Sequence, residues 1–449
     1  TMIPGTETAV YFAHTGDNHG PQSAEAIRQV YRELEEEYPD AQLCAADLNG
    51  LAREVLAIKD TLPVFTKEIG DTWIHGVGCD PWKVRQFREM LRQEPQWTEE
   101  ERKEAFRELL LVPEHTWGMD IKTHLADHEH YIRTEFEKVR KTAPNYQKVE
   151  ASWEEQRDYV RRAMDDLSPE HKAELLEFGK DACPDDSGFV PVDMDGEYTA
   201  AGWSFRFGTD GSLRKLERNG KTYADDSHRW GEVLYENYSP AEYRDFYKAY
   251  NTLDVGWARE DFGKIGMETA IASGIKTTPV LKALLRRDNE FLARMEMKGT
   301  AHDLYGAPAK WEMRVKFEEE AVSFALRWTD KPACRVPEGI WCGFCPAEGP
   351  ENCRVRKMGS WIDPLNVCTG GGMHLHATES GVKWDGGQLD TLDTALVSVG
   401  NPKVVPYTKE PVHPEEGFWF NLENTIWGTN FVMWYDDDAS FRWVFQEQM

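Results

Sequence analysis

Long apolar runs are missing from this 449-residue chain. None approaches the about 18 consecutive apolar residues that a membrane-crossing helix needs, so no partner membrane is expected. The first ten residues hold neither a basic nor an apolar stretch and do not read as a signal peptide. Positive charge is short too: 52 Lys and Arg stand against 79 Asp and Glu, a formal net charge of −27. That balance speaks against nucleic acid or an anionic surface as partner. Cysteine is sparse, with eight in all. Cys342-Gly343-Phe344-Cys345 with Cys353 begins a zinc-like spacing, but a second Cys-x-x-Cys is missing, and burial or disulfide pairing is the plainer reading. Repeats and low-complexity linkers are absent. One sequon, Asn237-Tyr238-Ser239, points weakly to secretion; the location reads as cytoplasmic, with an extracellular one left open.

What is present suits packed cores. Hydrophobic residues make up 40% of the chain and aromatic ones 12%, with 17 Trp. The length implies two or three domains. Residues 9–13, 43–45 and 62–65 are short apolar runs that predict strands, with helices from Ser23 to about Tyr38 and over 48–58 between them. That order predicts a partial parallel α/β unit, barrel-like, over 1–66. Three strands cannot close a barrel, so a preceding segment, a partner chain or oligomerisation is expected to complete it. Residues 67–182 read as a helical bundle, with helices over 82–91, 99–112 and 123–141, an apolar stripe through Trp153, Val160, Met164 and Leu167, and a last helix from Ser168-Pro169. Residues 183–449 carry short alternating runs at 200–207, 311–315, 321–328 and 431–435 between turn signals, with one helix at 240–250, and read as a large antiparallel β-sandwich.

Two polar stretches stand out. The glycine-rich stretch 68–80 holds Glu68, Asp71, Trp73, His75 and Asp80 and runs into Pro81, where Asp80 is placed to cap a helix. Residues 109–120 break the helical pattern and group Glu114, His115, Trp117 and Asp120 beside a glycine. With loop 14–20 they are expected to line one concavity, since sites in α/β units lie beyond strand ends. His14, Asp17 and His19 have a spacing that a metallohydrolase could use, although turn and capping roles suit them better.

The order of these parts, with three motifs, resembles glycoside hydrolase family 38, the α-mannosidase type, and more closely the DUF5054 proteins. Gly16-Asp17-Asn18-His19-Gly20-Pro21 is similar to the family's Gly-Asp-Gly-Gly-Gly-Gly-Pro loop. Residues 68–76 resemble the segment that places a metal-binding histidine before a glycine, here His75. Residues 109–120 resemble its Leu-Leu-Leu-Asn-Gln-Phe-His-Asp segment, with His115 at the family histidine. Residues 359–365 and 421–434 are similar to the DUF5054 group specifically. The resemblance implies retaining, metal-assisted cleavage of a glycosidic bond. It implies zinc or another divalent metal at His75, and a carbohydrate held by Asp17, Asn18, Asp71, Trp73, His115 and Asp120. The family's nucleophile and its His-x-Asp ligands would lie before Thr1, so this chain reads as the C-terminal part of such an enzyme, inactive alone. The other reading is a non-catalytic carbohydrate-binding or structural sandwich, with Trp341, Trp361 and Trp384 available for sugar stacking.

Overall fold

A computed structural model describes every residue except 17–18, 71, 115, 180–184, 254–255, 257–263, 369–370, 406–409 and 449. The chain divides into two compact units, Thr1–Lys67 and Glu68–Met449.

The first unit contains helices α1 (Ala24–Glu37) and α2 (Leu48–Ala57). Each begins on a side-chain cap: Ser23 accepts from the Ala26 amide at 3.1 Å and Asp47 from the Gly50 amide at 2.7 Å. The strands expected at 9–13, 43–45 and 62–65 do not form. Among the described residues of this unit, the only pairing of extended backbone is an antiparallel bridge between Met2 and Ala9. Strands need a neighbour for their backbone groups; beyond the contact of Ala9 and Val10 with Met2 and Thr1 these runs have none, so no parallel α/β sheet is built here. Val64 and Phe65 remain 85% and 77% exposed as a result.

In the second unit, α3 (Pro81–Gln93), α4 (Glu99–Leu109), α5 (Ile121–His124), α6 (Arg133–Thr142), α7 (Pro144–Asp165) and α8 (Pro169–Gly179) make the helical segment. Thr98 and Glu101 close a capping box on α4. The single helix expected over 123–141 is two, α5 and α6. Asp127 turns the chain between them, accepting from the amides of Glu129 (2.9 Å) and His130 (3.1 Å) and from the Arg335 guanidinium (2.9 Å). Met90, Leu109, Val160 and Leu175 belong to a core of the helices' own, whereas Phe136, Tyr146 and Trp153 pack into the core of the sheets.

Two antiparallel sheets follow, each of ten strands among the described residues. In the first, the long strands Lys310–Phe317, Ala321–Thr329 and Ala439–Glu447 lie side by side, with Trp311 opposite Trp328 and Phe324 opposite Trp443. Their burial alternates residue by residue, as one inward face requires. In the second, Trp230–Asn237, Glu338–Phe344 and Phe418–Asn424 are neighbours. Phe344 of one sheet meets Phe324 (5.1 Å) and Trp443 (5.6 Å) of the other, so the layers share one aromatic core. Each large side chain buried there contributes about 1.5–3 kcal/mol. The helix expected at 240–250 is present as Pro240–Tyr250, capped by Ser239 and Glu242.

Residues 431–435, expected as a strand, instead form a buried segment with no alternation: Phe431, Val432, Met433, Trp434 and Tyr435 are all buried. The segment is wedged against the helices. Trp434 meets Phe136 (4.9 Å), Tyr146 (5.6 Å) and Trp153 (4.7 Å) and donates to Glu150 at 2.8 Å. A second lock joins α3 to the first sheet. Arg88 donates to the carbonyls of Thr378, Glu379, Thr391 and Leu392, and buried Asp393 pairs with Arg442 at 2.8 Å. The sequon is closed off: Asn237 is 2% exposed, and its amide donates to Ser273 and accepts from Ile275. A folded chain therefore offers no glycosylation acceptor there.

Candidate functional site

The stretch 68–80, irregular to the eye in the sequence, is pinned at its start and ends in a tight 3₁₀ turn, Thr72–Cys79. At its start Glu68 pairs with Val367 in a parallel bridge. The Glu68 amide donates to Asn366 (2.9 Å), and its carbonyl accepts from Cys368 (2.7 Å). The Lys357 ammonium binds Glu68 and also reaches Nδ1 of buried His376 at 3.2 Å. Lys357 can only donate, so that nitrogen accepts and His376 Nε2 carries the proton it gives to Met373. Further along, the turn lies so close to the second sheet and the 425–435 segment that Cβ atoms have no room. One at Gly76 would enter the Phe431 ring, and one at Gly78 the amides of Asn421 and Asn424. The turn ends on Asp80, which caps α3 through the Lys83 amide (3.1 Å) and is paired with Arg157 at 2.7 and 3.0 Å.

This packing sets the surroundings of His75. Its carbonyl accepts from the Asn424 amide at 2.9 Å, and its ring meets Trp427 edge-on at 5.8 Å. The ring is 6% exposed, and among the described residues Nδ1 has no hydrogen-bond partner. Burial lowers its pKa to about 4, so the imidazole is neutral at pH 7 and offers a lone pair. Trp73, half-buried, stands 5.6 Å from Trp427 and 6.0 Å from Phe431, and Trp427 is 6.0 Å from Tyr250. These rings form an aromatic wall beside the histidine.

The lowered pKa has a consequence for stability. The folded chain holds fewer protons on His75 than the unfolded one between about pH 4 and about pH 6.5, so stability is lost as pH falls through that window. The expected loss attributable to His75 is up to about 3 kcal/mol. Denaturant unfolding of His75→Gln beside the parent, measured from about pH 7 to about pH 4, should show the parent losing stability faster; parallel curves would contradict the buried, neutral ring.

Of the site residues expected from the sequence, Asp17, Asn18, Asp71 and His115 lie outside the described residues. Trp73 and His75 are brought together on the turn. Asp120 is engaged as a cap: it accepts from the Lys122 amide, from Thr123 Oγ1 at 2.6 Å and from Thr429 Oγ1 at 3.1 Å. Through Thr429 it holds the segment that carries the aromatic wall, as does Trp117, whose amide donates to Asn430 at 2.7 Å. Among the described residues no three His, Cys, Asp or Glu side chains stand together as a metal would need, so His75 is a single candidate ligand.

Several placements escaped the sequence reading. Asn421, Asn424 and Trp427 belong to the 421–434 stretch that resembles the DUF5054 group, but nothing in the sequence set them against the 68–80 turn, which Asn421 and Asn424 hold. Glu338, Glu423, Lys264 and Lys331 are buried ionisable side chains that the sequence reading did not single out. The available signal was a strand, Phe418–Asn424, whose Asn and Glu interrupt an aromatic run.

A segmented helical part set against a double antiparallel sheet, with a glycine turn between them, describes the class of protein. The chain belongs to the family described as "Domain of unknown function (DUF5054)", which matches residues 77–323, more than half of it. No curated protein matches it. Among solved structures, a galactose mutarotase-like protein from Lactobacillus casei is similar at 9% identity and a TM-score of 0.30, over 58% of this chain and 100% of that one. Another galactose mutarotase-like protein, from Clostridium acetobutylicum, is similar at 8% identity and a TM-score of 0.28, over 56% and 94%.

Proposed function

We propose that this is a carbohydrate-active protein of glycoside hydrolase type whose residues 68–80 and 425–435 hold a sugar. The observation carrying this reading is the half-buried Trp73 leaning on Trp427 beside a buried neutral His75 whose Nδ1 has no hydrogen-bond partner among the described residues. An indole face suits the C–H face of a pyranose, and stacking of this kind is worth about 0.5–1.5 kcal/mol beyond area burial. His75 Nδ1 would accept a sugar hydroxyl or ligate a divalent metal such as zinc, with Asp71 its sequence neighbour for the same task. A bound metal would polarise sugar hydroxyls.

Retaining cleavage needs two carboxyls about 5 Å apart on either side of the bond. Asp80 and Asp120 are committed to caps and, for Asp80, to Arg157. That commitment favours a second reading, in which the described residues bind the carbohydrate and do not cleave it. Asp17 and Asp71 remain the candidate acids of this chain, whereas Glu114 accepts from the Thr116 amide at 2.8 Å and from the Thr116 hydroxyl.

The test is direct. Residues 1–449 with zinc are assayed against a panel of aryl α- and β-glycosides, and sugar binding is followed by calorimetry. Trp73→Ala is expected to weaken binding about tenfold. Binding unchanged by that variant would remove the aromatic wall from the proposal. Turnover abolished by Asp71→Asn would show that this chain carries its own carboxyl pair and discard the binding-only reading.

A further inference from the structure

Of Trp341, Trp361 and Trp384, the fold leaves one within reach of a ligand. Trp341 and Trp384 are 0% and 3% exposed, the first donating its indole N–H to Glu236 and the second lying against Phe445. Trp361 is half-buried on Ser360–Ile362, the strand at one end of the first sheet. Register decides which way it points. Val355 lies opposite both Ile362 and Val382, and the two valines are buried in the core. The alternate positions, Arg354, Arg356, Trp361 and Lys383, therefore stand together on the outer face. Arg356 is opposite Trp361, and Arg354 is opposite Lys383. The Arg356 guanidinium lies 5.6 Å and Lys383 Nζ 4.7 Å from the centre of the indole ring.

These three cations are unspent in a chain of net charge −27. Elsewhere Arg157, Arg314 and Arg442 each hydrogen-bond a carboxylate at 2.8–3.0 Å. Around Trp361, Arg354 donates to the Cys353 carbonyl at 2.7 Å, and among the described residues no carboxylate comes within hydrogen-bond distance of Arg354, Arg356 or Lys383. The acids nearby are turned elsewhere. Glu379 accepts from the Gly359 amide at 2.5 Å and stays 3.8 Å from Arg356, and Asp390 accepts from Gln388 at 2.8 Å. The turn beside them adds a second anomaly. Met358 and Gly359 join the two strands with φ of 44° and 79°, a turn that Asn-Gly fills best. A methionine in that conformation, 97% exposed, serves neither the turn nor the core. A thioether there suits an apolar contact with something bound.

We propose that this outer face binds an oligosaccharide of uronic acid, a pyranose chain that carries carboxylates. One ring stacks on Trp361, and its carboxylate draws Lys383 off the indole to pair with Lys383 and Arg356. An exposed cation–π contact is weak enough to be exchanged for a charge-assisted hydrogen bond. Arg354 extends the positive stripe to the next ring of the saccharide, and Met358 meets the apolar edge of the first. No covalent bond forms or breaks. The site lies apart from the 68–80 turn and does not depend on that turn holding a sugar.

The test is a calorimetric titration of the whole chain with the galacturonate hexamer, the same hexamer as its neutral methyl ester, and hexaglutamate. The galacturonate hexamer is expected to bind more tightly than about 1 mM, with an affinity that falls as salt rises. The ester should bind about tenfold more weakly. Hexaglutamate, which has the charge without the pyranose, should not bind. Trp361→Ala is expected to weaken binding about tenfold, and Lys383→Gln to weaken it several-fold and flatten its salt dependence. Circular dichroism checks that both variants fold, and should Trp361→Ala fail to, the surface variant Lys383→Gln carries the test alone. Trp73→Ala should leave hexamer binding unchanged, which separates this site from the one proposed above. Equal affinity for acid and ester, or for hexamer and hexaglutamate, overturns the proposal. So does binding that both Trp361→Ala and Lys383→Gln leave unchanged, or no binding at millimolar hexamer.

Discussion

Replacing Lys331 with methionine is expected to lower the unfolding free energy by about 3–5 kcal/mol. Lys331 and Glu338 are both fully buried and 2.6 Å apart. Removing the ammonium leaves a buried carboxylate in the sandwich that keeps the Tyr235 hydroxyl but loses its ion pair. The loss is dominated by that stranded charge, because an intact buried pair contributes little net stability over an apolar pair of similar volume. The double variant Lys331→Met, Glu338→Gln should therefore recover part of the loss. Denaturant midpoints followed by circular dichroism separate the two cases. A single variant within about 1 kcal/mol of the parent would mean that Glu338 takes up a proton or finds another partner at little cost.

Trp434→Ala is expected to cost about as much, 3–5 kcal/mol, through a different mechanism. Trp434 is 2% exposed and fills the space among Phe136, Tyr146 and Trp153, with its indole N–H on Glu150. Truncation leaves a cavity between helices and sandwich, and it also strands the Glu150 oxygen, which keeps only Arg140. The prediction has a regional signature. Hydrogen exchange should speed up in α6 and α7, with the central strands of the first sheet affected last. Uniform acceleration throughout the second unit would show that the helices have no separate stability and unfold with the sheets.

Much of the local structure was legible in the residues themselves. Ser23 and Asp80 were each readable as a helix start because a cap is a contact across three residues, and each one caps, as Asp47, Thr98 and Ser239 do for helices expected only by their spans. The strands Lys310–Phe317 and Ala321–Thr329 announced themselves by alternation, which needs only one buried face. Runs 9–13, 43–45 and 62–65 looked equally strand-like and are not strands. A strand exists only if another backbone lies beside it, and composition does not show whether one does. Residues 431–435 failed for the converse reason. Their five apolar side chains are buried by helices on one side and sheet on the other, so apolarity there reports enclosure, not pairing.

The sequence by itself determined the acidic balance, the helix boundaries set by caps, the antiparallel sandwich, and the presence of something unusual at 68–80. Those are short-range properties, written in neighbours within a few residues. Tertiary structure alone decided that His75 is buried beside Trp427, that Asn424 holds its carbonyl, and that Asp120 is committed to a cap. A bulge at Leu422 brings Glu423 to the buried face of its strand, opposite Ile340. A one-residue change of register exchanges inside for outside along a strand. Whether that glutamate faces water or the interior is therefore settled by pairing across the sheet, between residues tens to hundreds of positions apart.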